Sequence, residues 1–121
     1  MEAAEIMEHT MNLNPSPFSM IRDGIKTIEL RLYDEKRRKI TPGDTIRFYN
    51  NENASETILT KVIELYVFDT FDKLYEKLPL LECGYTEDTI CRASAKDMEK
   101  YYSLERQKQF GVVGIRVVVI S

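Results

Sequence analysis

Three charged residues have the types and the spacing that a reactive or ligand-binding site would need: Lys26, Glu29 and Arg31. Apolar residues alternate with Glu29 and Arg31 in a strict period of two, which predicts a β-strand with these two side chains on one face, away from the core. Lys26 stands just before this strand, where the chain leaves a turn at Gly24. An ammonium, a carboxylate and a guanidinium at such close range could hold an anionic or amide-bearing ligand. If they are withdrawn from water, the carboxylate and the ammonium could shift their pKa values toward neutrality and exchange protons.

A simpler interpretation is open for each candidate residue. The three charges could be an exposed strand face with ordinary surface ion pairs, which contribute little. Tyr101 and Tyr102 could offer a stacking surface for a base, with Tyr102 the candidate ligand contact, or could be amphipathic edges of the core. His9 could face the cleft from a first strand and bind a ligand, or could be half-buried with a backbone partner. The basic run 36–39 could contact a phosphate backbone, or could simply be solvated.

Composition limits the possible partners. The net charge is -3 and the pI is about 5.3. Non-specific binding along RNA or DNA is driven by neutralisation of phosphates and needs a basic protein, so the chain is not a bulk coat for nucleic acid. Basic residues nevertheless concentrate between positions 22 and 47, whereas acidic residues crowd into the N-terminus and the 72–105 stretch. A basic face on an acidic protein is suited to a small anionic ligand or to one strand end.

Metal, membrane and cofactor roles find no support in the sequence. Cys83 and Cys91 lie eight residues apart and match no metal-binding spacing, and His9 is the only histidine. We therefore expect two partly buried thiols, no structural metal and no cofactor. No run approaches about 18 apolar residues, and the acidic N-terminus does not resemble a signal peptide. We expect a cytoplasmic protein without a membrane segment, with residues 1–5 as a frayed leader.

The pattern of secondary structure favours an α+β fold in one domain that covers residues 1–121. Strands are expected near residues 6–13, 27–33, 44–50, 56–68 and 112–120, and helices near 16–24, 70–78 and 94–109. The strand at 56–68 is expected to be bent or bulged, the last helix to break near Ser103, and residues 34–39 to form a charged connection; residues 80–94 give no clear pattern. Because crossovers long enough for an all-parallel sheet are missing, we expect a small, mostly antiparallel β-barrel, closed or nearly closed, with flanking helices.

The motif G-x-K-T-x-E-x-R at positions 24–31 resembles the signature of the ASCH domain family. A basic loop and the run Pro42-Gly43-Asp44-Thr45-Ile46-Arg47-Phe48 follow it, and the closing segment 110–115 and the opening segment 9–18 are also similar to that family. The resemblance extends from about residue 7 to 120. It implies a PUA-like β-barrel with a cleft lined by the motif, and a link to RNA or modified nucleosides.

The resemblance leaves three functions open. One ASCH branch resembles amidohydrolases acting on acetylated cytidine, in which a threonine follows the lysine by three residues. In this chain that position is Glu29, and Thr27 lies on the opposite side of the strand. Glu82 could supply the carboxylate of that branch. The chain could thus be an amidohydrolase- or ribonuclease-like hydrolase with Lys26 and Glu29 as its acid/base pair. It could instead bind an RNA end or a small nucleotide-like ligand, or be a protein-interaction domain. The replacement of threonine by Glu29 favours the binding module over the hydrolase.

Overall fold

The computed structural model describes residues 5–121, so most of the expected leader lies outside the described residues. Five β-strands and four α-helices are formed within that range. The strands are β1 (Glu8–Leu13), β2 (Ile28–Leu32), β3 (Thr45–Asn50), β4 (Asn53–Phe68) and β5 (Val112–Val119). The α-helices are α1 (Pro15–Arg22), α2 (Glu35–Arg38), α3 (Phe71–Lys77) and α4 (Leu104–Phe110), and short 3₁₀ helices cover Leu80–Cys83, Ile90–Arg92 and Ala95–Lys100.

The strands form one curled sheet in the order β1-β3-β4-β5-β2. Three of the four neighbouring pairs are antiparallel, and β1 pairs with β3 in parallel. The long strand β4 changes register between Val62 and Glu64, which confirms the predicted bulge. The predicted α+β, PUA-like and mostly antiparallel architecture is confirmed, in the form of a half-barrel. The expected closure is incomplete, because within the described residues β1 pairs only with β3 and β2 only with β5. We call the gap between these two edge strands the seam.

Two apolar clusters stabilise the sheet from its two faces. The larger one joins α1 to residues of β1, β3, β4 and β5, including Phe18, Ile46 and Phe48, which are all nearly inaccessible to water. The smaller one packs α3 against the other face of β2, through residues such as Leu30 and Phe71. Burial of such side chains contributes about 1.5–3 kcal/mol each. Strand β2 therefore has an apolar core against each face, and this position decides the environment of its charged residues.

Several local predictions need correction. Ser16 followed by Pro17 suggests a helix that starts at Pro17, but α1 begins two residues earlier, at Pro15 after Asn14, because proline suits the first helical position at either place. The charged connection is a one-turn helix whose backbone is capped by Asp34. The nearly continuous apolar run 112–120 is typical of a strand that is buried along its whole length. Strand β5 is buried only over its first part, since Val118 and Val119 extend past the core and are exposed.

The helical regions otherwise follow the sequence pattern. Phe71 and Leu74 of α3 stand at helical spacing on one face and are buried, and the helix ends shortly before Pro79. The region 94–110 is broken at Ser103, whose side chain caps α4. In the span from residue 5 to residue 121, no helix is long and apolar enough to cross a bilayer.

Candidate ligand-binding site

Strand β2 places Glu29 and Arg31 on the face opposite its own apolar side chains. Glu29 stands opposite Ile115 and Arg31 opposite Val113 in the pairing of β2 with β5. Directly paired residues of antiparallel strands project to the same face, so both charged side chains lie on the side of the larger core cluster. Only 3% of Glu29 is exposed to solvent. The prediction that these two side chains share one face is confirmed, and the carboxylate is far more buried than a surface ion pair would be.

Lys26, Glu29 and Arg31 meet in one ion-paired trio. The Nζ of Lys26 lies 2.7 Å from Oε1 of Glu29, and the Nε of Arg31 donates to Oε2 of the same carboxylate at 2.6 Å. The lysine and arginine side chains are 11% and 14% exposed, respectively. Each carboxylate oxygen thus has its own cationic donor, an arrangement that offsets the cost of burying the charge. The surface interpretation of these residues is wrong.

Two members of the trio, Glu29 and Arg31, are held in their ionised forms. Burial by itself would raise the pKa of Glu29, but attraction to Lys26 and Arg31, together with the hydrogen bonds that they donate, outweighs burial and holds this pKa below its usual range. Burial opposes the charge on Arg31 as well, but Glu29 and Tyr102 raise the pKa of this arginine above its ordinary value. The carboxylate therefore remains a hydrogen-bond acceptor at neutral pH.

Arg31 also crosses the seam. Its NH2 group donates a hydrogen bond to the backbone carbonyl of Asn12 on β1, at 2.8 Å. This side chain consequently connects the two edge strands of the half-barrel, at the point where backbone hydrogen bonds between them are missing within the described chain. The site lies where the barrel is open.

A cleft of about 460 Å³ opens beside the trio. Strand β1 and α1 form one part of its wall, and β2 with Lys26 forms another. The segment 83–102 forms most of the rest, together with Asn51 and Tyr75. A volume of this size lies within the range of about 300–1,000 Å³ that is typical of small-molecule sites. Its polar and aromatic lining residues include Asn12, Asn14, Lys26, Glu29, Arg31, Tyr75, Tyr85, Asp97, Lys100, Tyr101 and Tyr102.

A hydrogen-bonded chain of two tyrosines and a carboxylate belongs to this wall. The hydroxyls of Tyr75 and Tyr85 lie 2.7 Å apart, and the Tyr85 hydroxyl donates to Oδ2 of Asp97 at 2.6 Å. The hydrogen bond from Tyr85 holds the pKa of Asp97 below its usual range, whereas burial raises the pKa of Tyr85. The sequence prediction missed these residues. The capping box between Ser94 and Asp97 was a recognisable signal for a helical start there, but not for a cleft.

Tyr101 and Tyr102 line the cleft in different ways. The ring of Tyr102 is half-buried and packs on Phe71, with 6.1 Å between ring centroids. Tyr101 is 56% exposed at the cleft opening. Tyr102 thus combines core packing with a place in the cleft wall, and a stacking surface for a base stays a prediction.

The structure does not bring His9 to the cleft. Its Nε2 lies 2.8 Å from Oδ2 of Asp44. The same oxygen accepts from the backbone N–H of Thr41, and the other carboxylate oxygen, Oδ1, accepts from the backbone N–H of Met7. Burial alone would raise the pKa of Asp44, but these hydrogen bonds, with that of His9 foremost, hold it below its usual range. His9 therefore connects β1 to the turn before β3, through a side-chain partner and not the backbone partner of the simpler interpretation.

Glu82 lies outside the cleft as well. Its Oε1 accepts from the hydroxyl of Thr27 at 2.7 Å and from NH1 of Arg116 at 2.5 Å. The hydrogen bond from Thr27, followed by that from Arg116, lowers the pKa of Glu82. Neither Thr27 nor Glu82 lines the cleft. The carboxylate considered for the amidohydrolase interpretation is thus paired with Thr27 and Arg116, away from the ionic trio.

The cysteines are separate free thiols. Cys83 is buried and lines the cleft, and its burial raises the pKa of the thiol to about 11. Cys91 is exposed, which corrects the expectation that both would be partly buried. Among residues 5–121, no three His, Cys, Asp or Glu side chains converge in a way that could hold a metal ion.

A curled half-barrel with helices on its faces and a cleft at its open edge defines a PUA-like domain. Residues 11–121 match the family profile of the ASCH domain, and the chain belongs to that family. The hypothetical protein PH0355, known from a crystal structure, is 34% identical with a TM-score of 0.78, over 94% of this chain and 100% of that one. Protein PF0455 from Pyrococcus furiosus is 30% identical with a TM-score of 0.72, over 95% of this chain and 99% of that one.

A more distant ASCH protein supports the fold alone. The ASCH structure from Zymomonas mobilis is 16% identical with a TM-score of 0.62, over 91% of this chain and 66% of that one. No curated protein matches this sequence. The recognition of the ASCH family from the motif at positions 24–31 is thereby confirmed.

Proposed function

We propose that the cleft binds a single-stranded RNA end or a small nucleotide-like ligand. The observation that carries this proposal is the buried trio of Lys26, Glu29 and Arg31 in the wall of a nucleotide-sized cleft. Lys26 and Arg31 meet a phosphate or a base edge, and Glu29 accepts a hydrogen bond from an exocyclic amine. Tyr102, beside the trio, provides an aromatic face for a base.

The charge of the lining residues fits an anionic ligand. Lys26, Arg31 and Lys100 are cationic and Glu29 and Asp97 are anionic, so the lining carries one more positive than negative charge, whereas the whole chain carries -3. A concave site focuses this local field toward an entering ligand. Such a site favours a short strand or a nucleotide over a long RNA footprint, in line with the acidic pI.

The state of Glu29 supports binding more than hydrolysis. An efficient general base has a pKa near the working pH, but both oxygens of Glu29 are occupied by cations that lower its pKa. Lys26 donates to the same carboxylate, and its two other donors remain for a ligand. In addition, the hydroxyl of Thr27 is engaged by Glu82 outside the cleft. A hydrolase would have to release one of these groups before it could transfer a proton.

The test measures both binding and turnover on a panel of short single-stranded RNAs, nucleotides and acylated nucleosides. For a binding module, Lys26→Ala should weaken RNA binding by about 1.5–3 kcal/mol, because a charge-assisted contact to an anion is lost. Glu29→Gln should retain much of the affinity, since the amide still offers an acceptor. Lys61→Ala is the matched control, because this lysine is exposed and does not line the cleft.

The outcomes separate the three functions. RNA binding without turnover, lost in Lys26→Ala and kept in Lys61→Ala, supports the binding module. Turnover that Glu29→Gln slows at least about a hundredfold without weakening substrate binding supports the hydrolase. Neither binding nor turnover across the panel leaves only the protein-interaction function, and the RNA assignment is then withdrawn.

A further inference from the structure

We propose that a second depression beside the cleft is a phosphate site for the next phosphodiester of a bound RNA strand; this rests on the proposed function of the cleft. We call this depression the groove. Its wall contains Asn12, Arg31, Lys36, Arg37 and Tyr49, together with two further β1 residues. Arg31 and Asn12 belong to both the cleft and the groove. A strand that leaves the cleft past Arg31 therefore enters the groove directly.

The groove has the composition of an anion site. Its lining includes three cationic side chains, Arg31, Lys36 and Arg37, and no carboxylate. Hydroxyls of Thr10 and Tyr49 stand in the same wall. Cationic groups and hydroxyls are the side chains that most often contact phosphate oxygens in nucleic-acid complexes.

The cationic side chains of the groove differ in how many hydrogen-bond donors they have free for a ligand phosphate. Arg37 donates from NH1 to Asp34 at 3.1 Å, and its Nε is buried without a hydrogen-bond partner among the described residues. The guanidinium thus has more donors than Asp34 uses. Lys36 is exposed, and no ion pair to it is found in the described part of the chain. A ligand phosphate can reach Lys36 without breaking an internal contact.

The basic run 36–39 divides into two kinds of residue. Arg38 stacks its guanidinium 4.4 Å from the ring centroid of Tyr33 and donates to the backbone carbonyl of Phe110, which fixes α2 to the fold. Lys39 is exposed but does not line the groove. Lys36 and Lys39 therefore have the same charge and lie close in the sequence, but only Lys36 lines the groove. Substitutions at these two positions form a matched pair.

The test compares Lys36→Ala with Lys39→Ala for a fluorescein-labelled single-stranded RNA hexamer, by anisotropy over a range of salt concentrations. Lys36→Ala should weaken binding of the hexamer by about three- to tenfold and reduce the slope of log affinity against log salt by about 0.7, the value for one phosphate of a single strand. Lys39→Ala should change neither quantity. Lys36→Glu and Lys39→Glu repeat the comparison with a larger expected difference.

The ligand identifies the source of the phosphate. An effect of Lys36→Ala on the hexamer but not on a nucleoside monophosphate supports the phosphodiester of the adjoining nucleotide. An equal effect on both ligands also supports a phosphate site, but assigns the phosphate to the nucleotide in the cleft itself and overturns the adjoining position. Equal behaviour of Lys36→Ala and Lys39→Ala on every ligand overturns the groove.

Failure of the groove and failure of the cleft give different results. If Lys26→Ala abolishes hexamer binding while Lys36→Ala and Lys39→Ala match, the cleft stands and the groove is overturned. If Lys36→Ala weakens binding but Lys26→Ala does not, the cleft assignment fails; the groove then still contacts phosphate, but its place beside a nucleotide in the cleft is overturned. If the wild-type protein does not bind the hexamer at all, both proposals are overturned.

Discussion

The guanidinium of Arg31 on β2 donates from NH2 to the backbone carbonyl of Asn12 on β1, at 2.8 Å. The same side chain donates from Nε to Glu29 at 2.6 Å. One arginine therefore anchors a buried carboxylate and joins the two edge strands across the seam. A guanidinium can do both because its donors point in several fixed directions, whereas a lysine ammonium is a single point charge.

We expect Arg31→Lys to loosen the seam although it conserves charge. Loss of the hydrogen bond to Asn12 should lower the free energy of unfolding by about 1.5–3 kcal/mol, the range for hydrogen bonds of charged groups, and should speed amide exchange along β1 and β2. Urea unfolding and hydrogen exchange measure the two effects. Arg22→Lys is the control, because Arg22 is half exposed and pairs only with its neighbour Asp23 in the described residues. Equal effects of both variants would contradict the role of the seam contact.

Glu29→Ala should be among the most destabilising changes of a charged residue in this chain. It leaves Lys26 and Arg31 largely buried without their common partner, and breaking a buried ion pair costs about 3–5 kcal/mol. Lys26→Ala should cost less, because Glu29 then retains Arg31. Urea denaturation of the three proteins measures the order. Glu64→Ala, at an exposed position of β4, should be nearly neutral, and a Glu29→Ala protein as stable as this control would rule out the buried trio.

The contribution of Glu29 to stability should depend on pH. Its pKa is lower in the folded protein than the usual value of about 4.3, so folding favours the ionised form. This stabilisation is fully present above about pH 4.3 and is lost as the pH falls through the lower pKa of the folded state. The difference in unfolding free energy between wild type and Glu29→Gln should therefore shrink on acidification. Asp44 and Glu82 also have lowered pKa values, but their contributions to the pH dependence are the same in both proteins and cancel in this difference. A difference that grows toward low pH would reverse the assigned direction.

Gln107 should stabilise the cleft from behind. It is almost completely buried; its Oε1 accepts from the backbone N–H of Phe71 and its Nε2 donates to the backbone carbonyl of Tyr102, both at 3.1 Å. Gln107→Leu leaves both backbone groups unsatisfied, which we expect to cost about 1–3 kcal/mol for each buried group. Thermal and urea unfolding measure this loss. Gln109→Leu, at an exposed position of the same helix, should cost less than about 0.5 kcal/mol.

Comparing Gly84→Ala with Gly43→Ala should separate two effects of an added methyl group, namely strain in the backbone and interference with the binding site. Both glycines have positive φ angles, +116° and +97°, so each alanine should cost about 1–3 kcal/mol. Only Gly84 lines the cleft, and there the added methyl group makes ordinary van der Waals contact with Lys26, 3.8 Å from its Nζ, and takes up space that a ligand would occupy. Both variants should lose stability, but only Gly84→Ala should also weaken RNA binding. Anisotropy with the hexamer measures the second effect, and equal affinities of the two variants would count against the position of Lys26 in the site.

The sequence predicted the parts of the site that depend on local periodicity. The alternation around Glu29 and Arg31 was enough to place both on one face, because a strand imposes a period of two. It could not predict that this face is buried, since the burial comes from β5 and the core cluster, which are distant in the sequence. The contact of Arg31 with Asn12 depends on how far the sheet curls, and local patterns do not encode that curvature.

The missed wall of the cleft has a similar explanation. Tyr85 and Asp97 belong to a segment of short 3₁₀ helices and loops, where no apolar repeat marks the structure. His9 was a candidate for the cleft because a strand was predicted around it. Which side chains of an edge strand reach a cleft, however, depends on the contacts that they make with neighbouring turns. Here Asp44 engages the imidazole first.

The pairing of β2 with β5 also determines when the binding surface can exist during translation. Ile28 pairs with Arg116 and Leu32 with Val112, so the partner of β2 is synthesised long after β2 itself. A nascent chain that has emerged only through β4 has β2 without its neighbour, and Glu29 remains in water. Pairing β2 with β5 closes the long loop between them, and the entropy cost of that closure comes before the contacts between the two strands can offset it. The RNA site that we propose is therefore complete only after β5 has been made and has paired with β2.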